Sequence, residues 1–177
     1  MTPDLGTRLD TVITALHQVV IPALPADQVL AREQATLCIG QLTVLAQQYR
    51  HVADYEALCL AEMTDLATTL LADVTGGAAT TQAAADLRTC LQDGETMPGP
   101  VPTTPVHQRR NAIAGRIDEL LRAAGRDGTE AFRRLTETSV LEHGARQAAR
   151  DRAWFQACGM DPDAATLPTI PELLDAR

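Results

Sequence analysis

The sequence predicts an all-α fold: a helical bundle of about five to six helices, with an up-down N-terminal part and a C-terminal pair of long helices after a Pro-rich connector. Three observations predict it. Apolar residues recur at three- and four-residue steps through most of the chain. Prolines and glycines gather at Pro22 and Pro25, at Gly76 and Gly77, and between Asp93 and Pro105, so they punctuate the periodic runs. The 177 residues are 45% apolar and 3% aromatic, enough for one domain whose core is filled by Leu, Ala and Val.

Taken in order, Leu5, Leu9, Val12, Ile13, Leu16, Val19 and Val20 mark a first helix, which Pro22 and Pro25 are expected to stop. The short loop after it implies antiparallel packing against a central helix from Ala26 to His51. A third helix is predicted from Asp54, a suitable N-cap, to Val74, with Cys59, Met63, Leu66, Leu70 and Val74 inward and Gly76 and Gly77 ending it. Thr80 to Gln92 reads as a fourth, Ala-rich helix, whose thin stripe of Leu87 and Leu91 suggests peripheral packing. The stretch DGETMPGPVPTTP reads as an extended connector that either crosses the bundle or lets the last helices reach a second subunit.

Val106, Ile113, Ile117, Leu120, Leu121 and Ala124 then mark an amphipathic helix ending at GRDG. From Thr129 to Cys158 the expected inward face changes from Phe132 and Leu135 to Leu141, Ala145, Ala148 and Phe155. Ser139 and Glu142 have the form of a capping box, but a continuous helix bridging two environments gives the same switch and is the reading preferred. The tail is expected to be mostly extended, with a turn of helix over Glu172 to Ala176. The expected organisation is a single helical domain over 1–177: N-terminal helices over 1–93, connector over 94–105, C-terminal helices over 106–158 and tail over 159–177.

Winding the central helix at about 100° per residue aligns Ala31, Ala35, Cys38, Leu42, Leu45, Tyr49 and Val52 in one seam. Leu30, Leu37 and Val44 form a second column, Ile39 and Ala46 flank the other side, and Glu33, Thr36, Thr43 and Gln47 gather opposite. So broad an apolar arc predicts a helix enclosed on nearly all sides, with Leu42 in the core. Within the arc runs a file of Gln34, Gln41 and Gln48 at heptad spacing. A buried amide needs partners, so these three are candidate interface residues, bonding across a helix interface, to one another in a symmetric dimer, or to a ligand. Placement on the wetter edge of the core, with their tips in water, accounts for the same file.

The net charge of −8 argues against a general nucleic-acid binder, because neutralising phosphates drives that association. Charge is uneven: Met1 to Thr104 holds four Arg against twelve acids, whereas Pro105 to Phe155 holds ten Arg against seven. The basic segment either binds an anion such as a phosphate or a CoA tail, or forms ion pairs on helix surfaces. Cys38, Cys59, Cys90 and Cys158 lack any CxxC spacing and read as reduced core residues of a cytoplasmic protein. With no export signal and no apolar run of membrane-spanning length, no membrane association is expected.

A di-iron bundle needs Glu-x-x-His pairs, and none occurs; Glu142 and His143 are adjacent and diverge on a helix, so the histidines read as solvated. No metal and no cofactor are expected. Gly-rich phosphate loops and Gly-x-Ser-x-Gly elbows are also absent, so no motif assigns a reaction. Polar density is highest in YRHVADYEALCLAE, where Tyr49, His51 and Tyr55 are candidate ligand-binding residues. An ordinary turn whose polar groups cap two helix ends explains them as well and is the reading preferred. Arg109 and Arg110, in line with Ile113 and Ile117, are further candidates for an anionic ligand, against snorkelling at the rim of the core.

The turn at Val20, Pro22, Ala23 and Leu24, followed by Glu33 and Gln34 in an apolar helix, resembles a group of uncharacterised bacterial helical proteins with a Val-x-Pro-Ala-Leu turn and a Gln-containing helix. The resemblance covers the first half of the chain. Members are commonly encoded beside acyl-CoA dehydrogenase-like and aminoglycoside-phosphotransferase-like enzymes. It implies an all-helical fold and a catabolic setting, and it carries no catalytic residues. Two functions are expected from different classes. The first is a non-catalytic helical oligomerisation or partner-binding protein, a homodimer or a companion of a neighbouring enzyme. The second is a small-molecule binder or enzyme taking an acyl-CoA or another anionic or aromatic ligand near Tyr49, His51 and Tyr55. The first is preferred, since the second needs a convergence of side chains that sequence does not show.

Overall fold

Pro25, not Pro22, ends the first helix. In the computed structural model, which describes residues 4–94, 96, 104–159 and 161–175, helix α1 (Leu5–Ala15) runs on through a π-helical stretch (Leu16–Val20) into α2 (Ile21–Ala23). A proline ring inside an α-helix clashes with the carbonyl four residues back, and the wider π turn immediately before Pro22 bonds the Ile21 amide to the Leu16 carbonyl instead. Leu24 then turns extended ahead of Pro25, as a residue before proline prefers. The remaining helices are α3 (Val29–Gln48), α4 (Val52–Ala72), α5 (Ala78–Asp93), α6 (Pro105–Asp127), α7 (Glu130–Trp154) and α8 (Ile170–Asp175), with 3₁₀ turns at Gln156–Cys158 and Ala164–Thr166. Among the described residues there is no strand, and the β-type contact is a single antiparallel bridge between Gly76 and Gly128. The all-α class follows. Most of the expected connector, 95 and 97–103, and the last residue of the expected tail turn, 176, lie outside the described residues.

Contacts divide the chain into two compact units, one of residues 1–52 with 149–177, the other of 53–148. The divisions fall inside α4 and α7, not at the connector.

The second unit is a four-helix core. Leu66, Ala67 and Leu70 of α4, Ala84, Leu87 and Cys90 of α5, Ala112, Ile113, Ile117, Leu120 and Ala124 of α6, and Phe132 of α7 form one buried cluster. Helix α5 is therefore central, contrary to the peripheral packing expected of its thin stripe. Its small Ala84 and Thr80, both fully buried, let α6 approach closely. At one end Asp127, the last residue of α6, caps α5: its carboxylate accepts the Ala79 amide at 2.8 Å, the Thr80 amide at 3.0 Å and the Thr80 hydroxyl at 2.5 Å. Here Gly76 and Gly77 do not act as left-handed helix caps. They permit contact: a Cβ on Gly76 would lie 2.9 Å from the Gly128 Cα, and one on Gly77 would lie 2.5 Å from the Asp127 carboxylate. The Gly77 amide donates to the Asp127 carbonyl at 2.9 Å and the Thr129 amide to the Thr75 carbonyl at 3.1 Å, tying the two turns together.

The first unit is built on an antiparallel pair. The Tyr49 hydroxyl at the end of α3 sits so close to Gly6 that a Cβ there would lie 2.7 Å away, while Arg32 near the start of α3 donates to the Ile21 and Leu24 carbonyls at 3.0 and 3.1 Å. A guanidinium collecting the last carbonyls of a helix is a favourable C-terminal cap. The C-terminal segment completes the unit. Arg152 grips Asp161 through two bonds of 2.7 and 2.9 Å and Asp163 at 3.0 Å, Gln156 donates to the Ala164 carbonyl, and Thr169 with Glu172 forms a capping box for α8.

Helix α7 is continuous through Ser139, so the capping-box break does not form. Its second expected inward face is nonetheless outside: Leu141 is 74% exposed, and Ala145, Ala148 and Phe155 are exposed too. The residues buried in their place are Thr136, Ser139 and His143, then Arg150, Ala153 and Trp154. Hydropathy selected the wrong face because the buried one is largely polar.

Leu120 is fully buried whereas Leu42 is only half-buried, so Leu120→Ala is expected to cost about 2 to 5 kcal/mol and Leu42→Ala distinctly less. Urea denaturation of both variants checks the order; equal losses would contradict this placement of the core.

Candidate functional site

Helix α3 is the feature that departs furthest from a packed interior. It is not enclosed on nearly all sides: Val29 is 68% exposed, Leu30 69%, Leu37 47% and Leu45 44%. Cys38 is exposed as well, and Leu42 and Tyr49 of the expected seam are half-buried. The half-buried side, Ala35, Ile39, Leu42 and Ala46, matches the packing of α3 on α1. At about 100° per residue, Leu30, Gln34, Leu37, Cys38, Gln41 and Leu45 fall within one arc roughly 100° wide on another side. All six are exposed.

The glutamine file divides along its length. Gln34 and Gln41 are exposed, whereas Gln48 is buried and its amide donates to the Trp154 carbonyl at 2.8 Å. One glutamine thus makes the buried bond across a helix interface, and two present their amides outward.

Tyr49 and His51 belong to the first unit and Tyr55 to the second. The Tyr49 hydroxyl accepts from Arg50 Nε at 2.6 Å, with the Arg50 guanidinium 5.2 Å from the ring centroid, and the His51 amide bonds to the Gln48 carbonyl at 2.8 Å. The His51 amide thus satisfies a carbonyl at the end of α3, while the Tyr49 hydroxyl is bonded to its chain neighbour. Tyr55 is half-buried on α4. Asp54, expected as an N-cap, lies within the first turn of α4, where its charge suits the helix dipole.

Arg109 and Arg110 lie near the start of α6, each half-buried. Arg109 donates to the Cys90 carbonyl at 2.6 Å and the Leu91 carbonyl at 2.9 Å, so its guanidinium neutralises the C-terminal end of α5. Arg110 donates to His107 Nδ1 at 3.1 Å. Elsewhere in the basic segment, Arg116 with Glu119, Arg122 with Asp118 and Arg134 with Glu130 form ion pairs along exposed helix faces.

Sequence reading missed two features. The first is the burial of His143, which was expected to be solvated, on the polar inner face of α7 with Thr136 and Ser139. The second is an open groove of about 460 Å³ between α6 and α7, lined by Leu121, Ala124, Gly125, Arg133, Thr136, Glu137, Val140 and Leu141. Its lining is largely apolar, and the Thr136 hydroxyl is spent on the Arg133 carbonyl at 2.7 Å, so it holds no converging acid, base and nucleophile. Their spacing on α7 was the available signal, but polar residues at helical period read as a solvated face. Among the described residues no group of His, Cys, Asp and Glu could hold a metal ion, and no helix is long and apolar enough to cross a membrane.

The arrangement defines an all-α helical protein with one helix presenting a mixed apolar and amide face. Comparison with protein-family models, curated proteins and solved structures finds no match.

Replacing Gln48 with Leu removes its hydrogen bond to the Trp154 carbonyl, and a stability loss of about 0.5 to 1.5 kcal/mol is expected. Trp154 is the sole tryptophan of the chain, so its emission during denaturation reports this directly. Acid acts on the same unit through Asp161, whose carboxyl is held by the Arg152 hydrogen bonds from the ordinary 3.8 down to about 2. A depressed carboxyl contributes stability above its unfolded value and loses it as pH falls through the folded one. The clasp is therefore expected to weaken from just below pH 4 toward about pH 2. Asp161→Asn should remove that part of the acid response; an unchanged acid profile in the variant would contradict the assignment.

Proposed function

We propose that the protein is a non-catalytic helical oligomerisation or partner-binding protein that self-associates as a homodimer, in a bacterial catabolic setting. A single observation carries this reading: α3 exposes Val29, Leu30, Leu37 and Leu45 on a helix whose composition suits an interior. Scattered exposed leucines are ordinary on any surface, but several on one helix, interleaved with amides, mark an interaction site. The sites that chemistry would need point the same way. Tyr49, Arg109 and Arg110 spend their polar atoms on helix ends and neighbours, and the groove between α6 and α7 has no reactive set. The catabolic setting rests on the resemblance of the Val20 to Leu24 turn and its following helix; a neighbouring enzyme of the acyl-CoA dehydrogenase-like kind is a further partner consistent with it.

Sedimentation equilibrium at micromolar concentration is expected to give twice the chain mass of 19.0 kDa. A single species at the chain mass overturns the homodimer.

A further inference from the structure

The exposed face of α3 reads the same from either end. Around the midpoint between Leu37 and Cys38, Leu30 stands opposite Leu45 and Gln34 opposite Gln41, with Leu37 and Cys38 flanking the midpoint. All six side chains are exposed, and they occupy one arc of the helix. A two-fold contact requires that residue i meet residue j while j meets i, and this face satisfies that requirement with like chemistry at each step.

We propose that two copies of the chain associate through α3 packed antiparallel on the partner's α3, with the two-fold axis passing between Leu37 and Cys38. This deepens the self-association proposed above and rests on it. The contact spans Leu30 to Leu45, about 24 Å at roughly 1.5 Å per residue. Leu30 packs on the partner's Leu45, and Leu37 packs across the axis against the partner's Cys38. Gln34 meets the partner's Gln41. A primary amide carries both donors and an acceptor, so each facing pair of amides satisfies itself with no charge and no third group. That explains why a face otherwise suited to burial carries glutamines: they fix the register of the pair, as single polar residues do in coiled coils.

Two observations select the antiparallel sense over the parallel one. The C-terminal end of the face is already covered within the chain, where Gln48 bonds to Trp154 and the Gln156–Cys158 turn packs on α3. The N-terminal end, with Val29 and Leu30, is bare. A parallel pair brings the two covered ends together, whereas an antiparallel pair sets each covered end beside a bare one. The opposed helix dipoles favour the same sense.

Charge substitutions separate the alternatives, with sedimentation equilibrium as the readout and circular dichroism to check helicity. Leu37→Glu places two carboxylates beside the axis and is expected to raise the dissociation constant roughly a hundredfold or more while leaving the single chain folded, since Leu37 is exposed there. The double variant Gln34→Glu with Gln41→Arg is expected to stay dimeric, with salt now weakening it, because each new Glu meets a new Arg on the other copy. In a parallel pair Glu meets Glu and Arg meets Arg, and the same variant dissociates. Dissociation of that variant, with Leu37→Glu also monomeric, overturns the antiparallel sense. A dimer that survives Leu37→Glu overturns the α3 interface and leaves self-association standing. A wild-type chain that sediments as a monomer removes self-association itself.

Discussion

The Asp127 carboxylate is the interaction on which the second unit depends. It ends α6 and begins α5 at once, taking two backbone amides and the buried Thr80 hydroxyl, and hydrogen bonding from Thr80 holds its carboxyl below the usual range. The cap fixes the axial register of α5 against α6 at one end, and Arg109 fixes it at the other by binding the last carbonyls of α5. Two oppositely charged side chains from one helix thus hold both ends of its neighbour, each at the dipole end that favours its charge. Between them the core needs only small and aliphatic residues in register.

The first unit is organised differently. Its fixed points are also polar, Arg32 at the α2 carbonyls, Gln48 at Trp154 and Arg152 at Asp161 and Asp163, but they do not enclose an interior of comparable size. Leu9, Val44, Ala153, Trp154 and Ile170 are its buried apolar residues, while an apolar stripe of α3 remains on the surface. A polar framework that orders a helix while leaving its apolar side uncovered suits a docking element better than a self-sufficient core. The proposed dimer uses that asymmetry, since the covered end of one α3 lies beside the bare end of the other.

Several of the candidate site residues have identifiable partners within the chain. Tyr49 lies in the densest polar neighbourhood of the sequence, whereas Arg109 and Arg110 lie in line with the apolar Ile113 and Ile117. In place Arg109 binds the last carbonyls of α5, the Tyr49 hydroxyl accepts from Arg50 and Arg110 donates to His107. The polar inner face of α7, with Thr136, Ser139 and His143, is the reverse case, a set of groups that look solvated in sequence and are buried.

Sequence periodicity by itself determined the helical class, the span of nearly every helix and most of the α4 and α6 core, because Leu66, Leu70, Ile113, Ile117 and Leu120 lie on faces where apolarity and burial coincide. Thr104 and Pro105, read as the end of the extended connector, are instead the N-cap and first residue of α6, where the Thr104 hydroxyl accepts the His107 amide and proline's missing N–H costs nothing. Only the tertiary structure decided which apolar face of α3 is covered, which face of α7 turns inward, and that α5 is central. Periodicity measures how apolar a face is, whereas burial depends on which neighbour arrives to cover it. For α3 the chain supplies α1 on one side and the Gln156–Cys158 turn at one end, leaving the stripe from Leu30 to Leu45 uncovered.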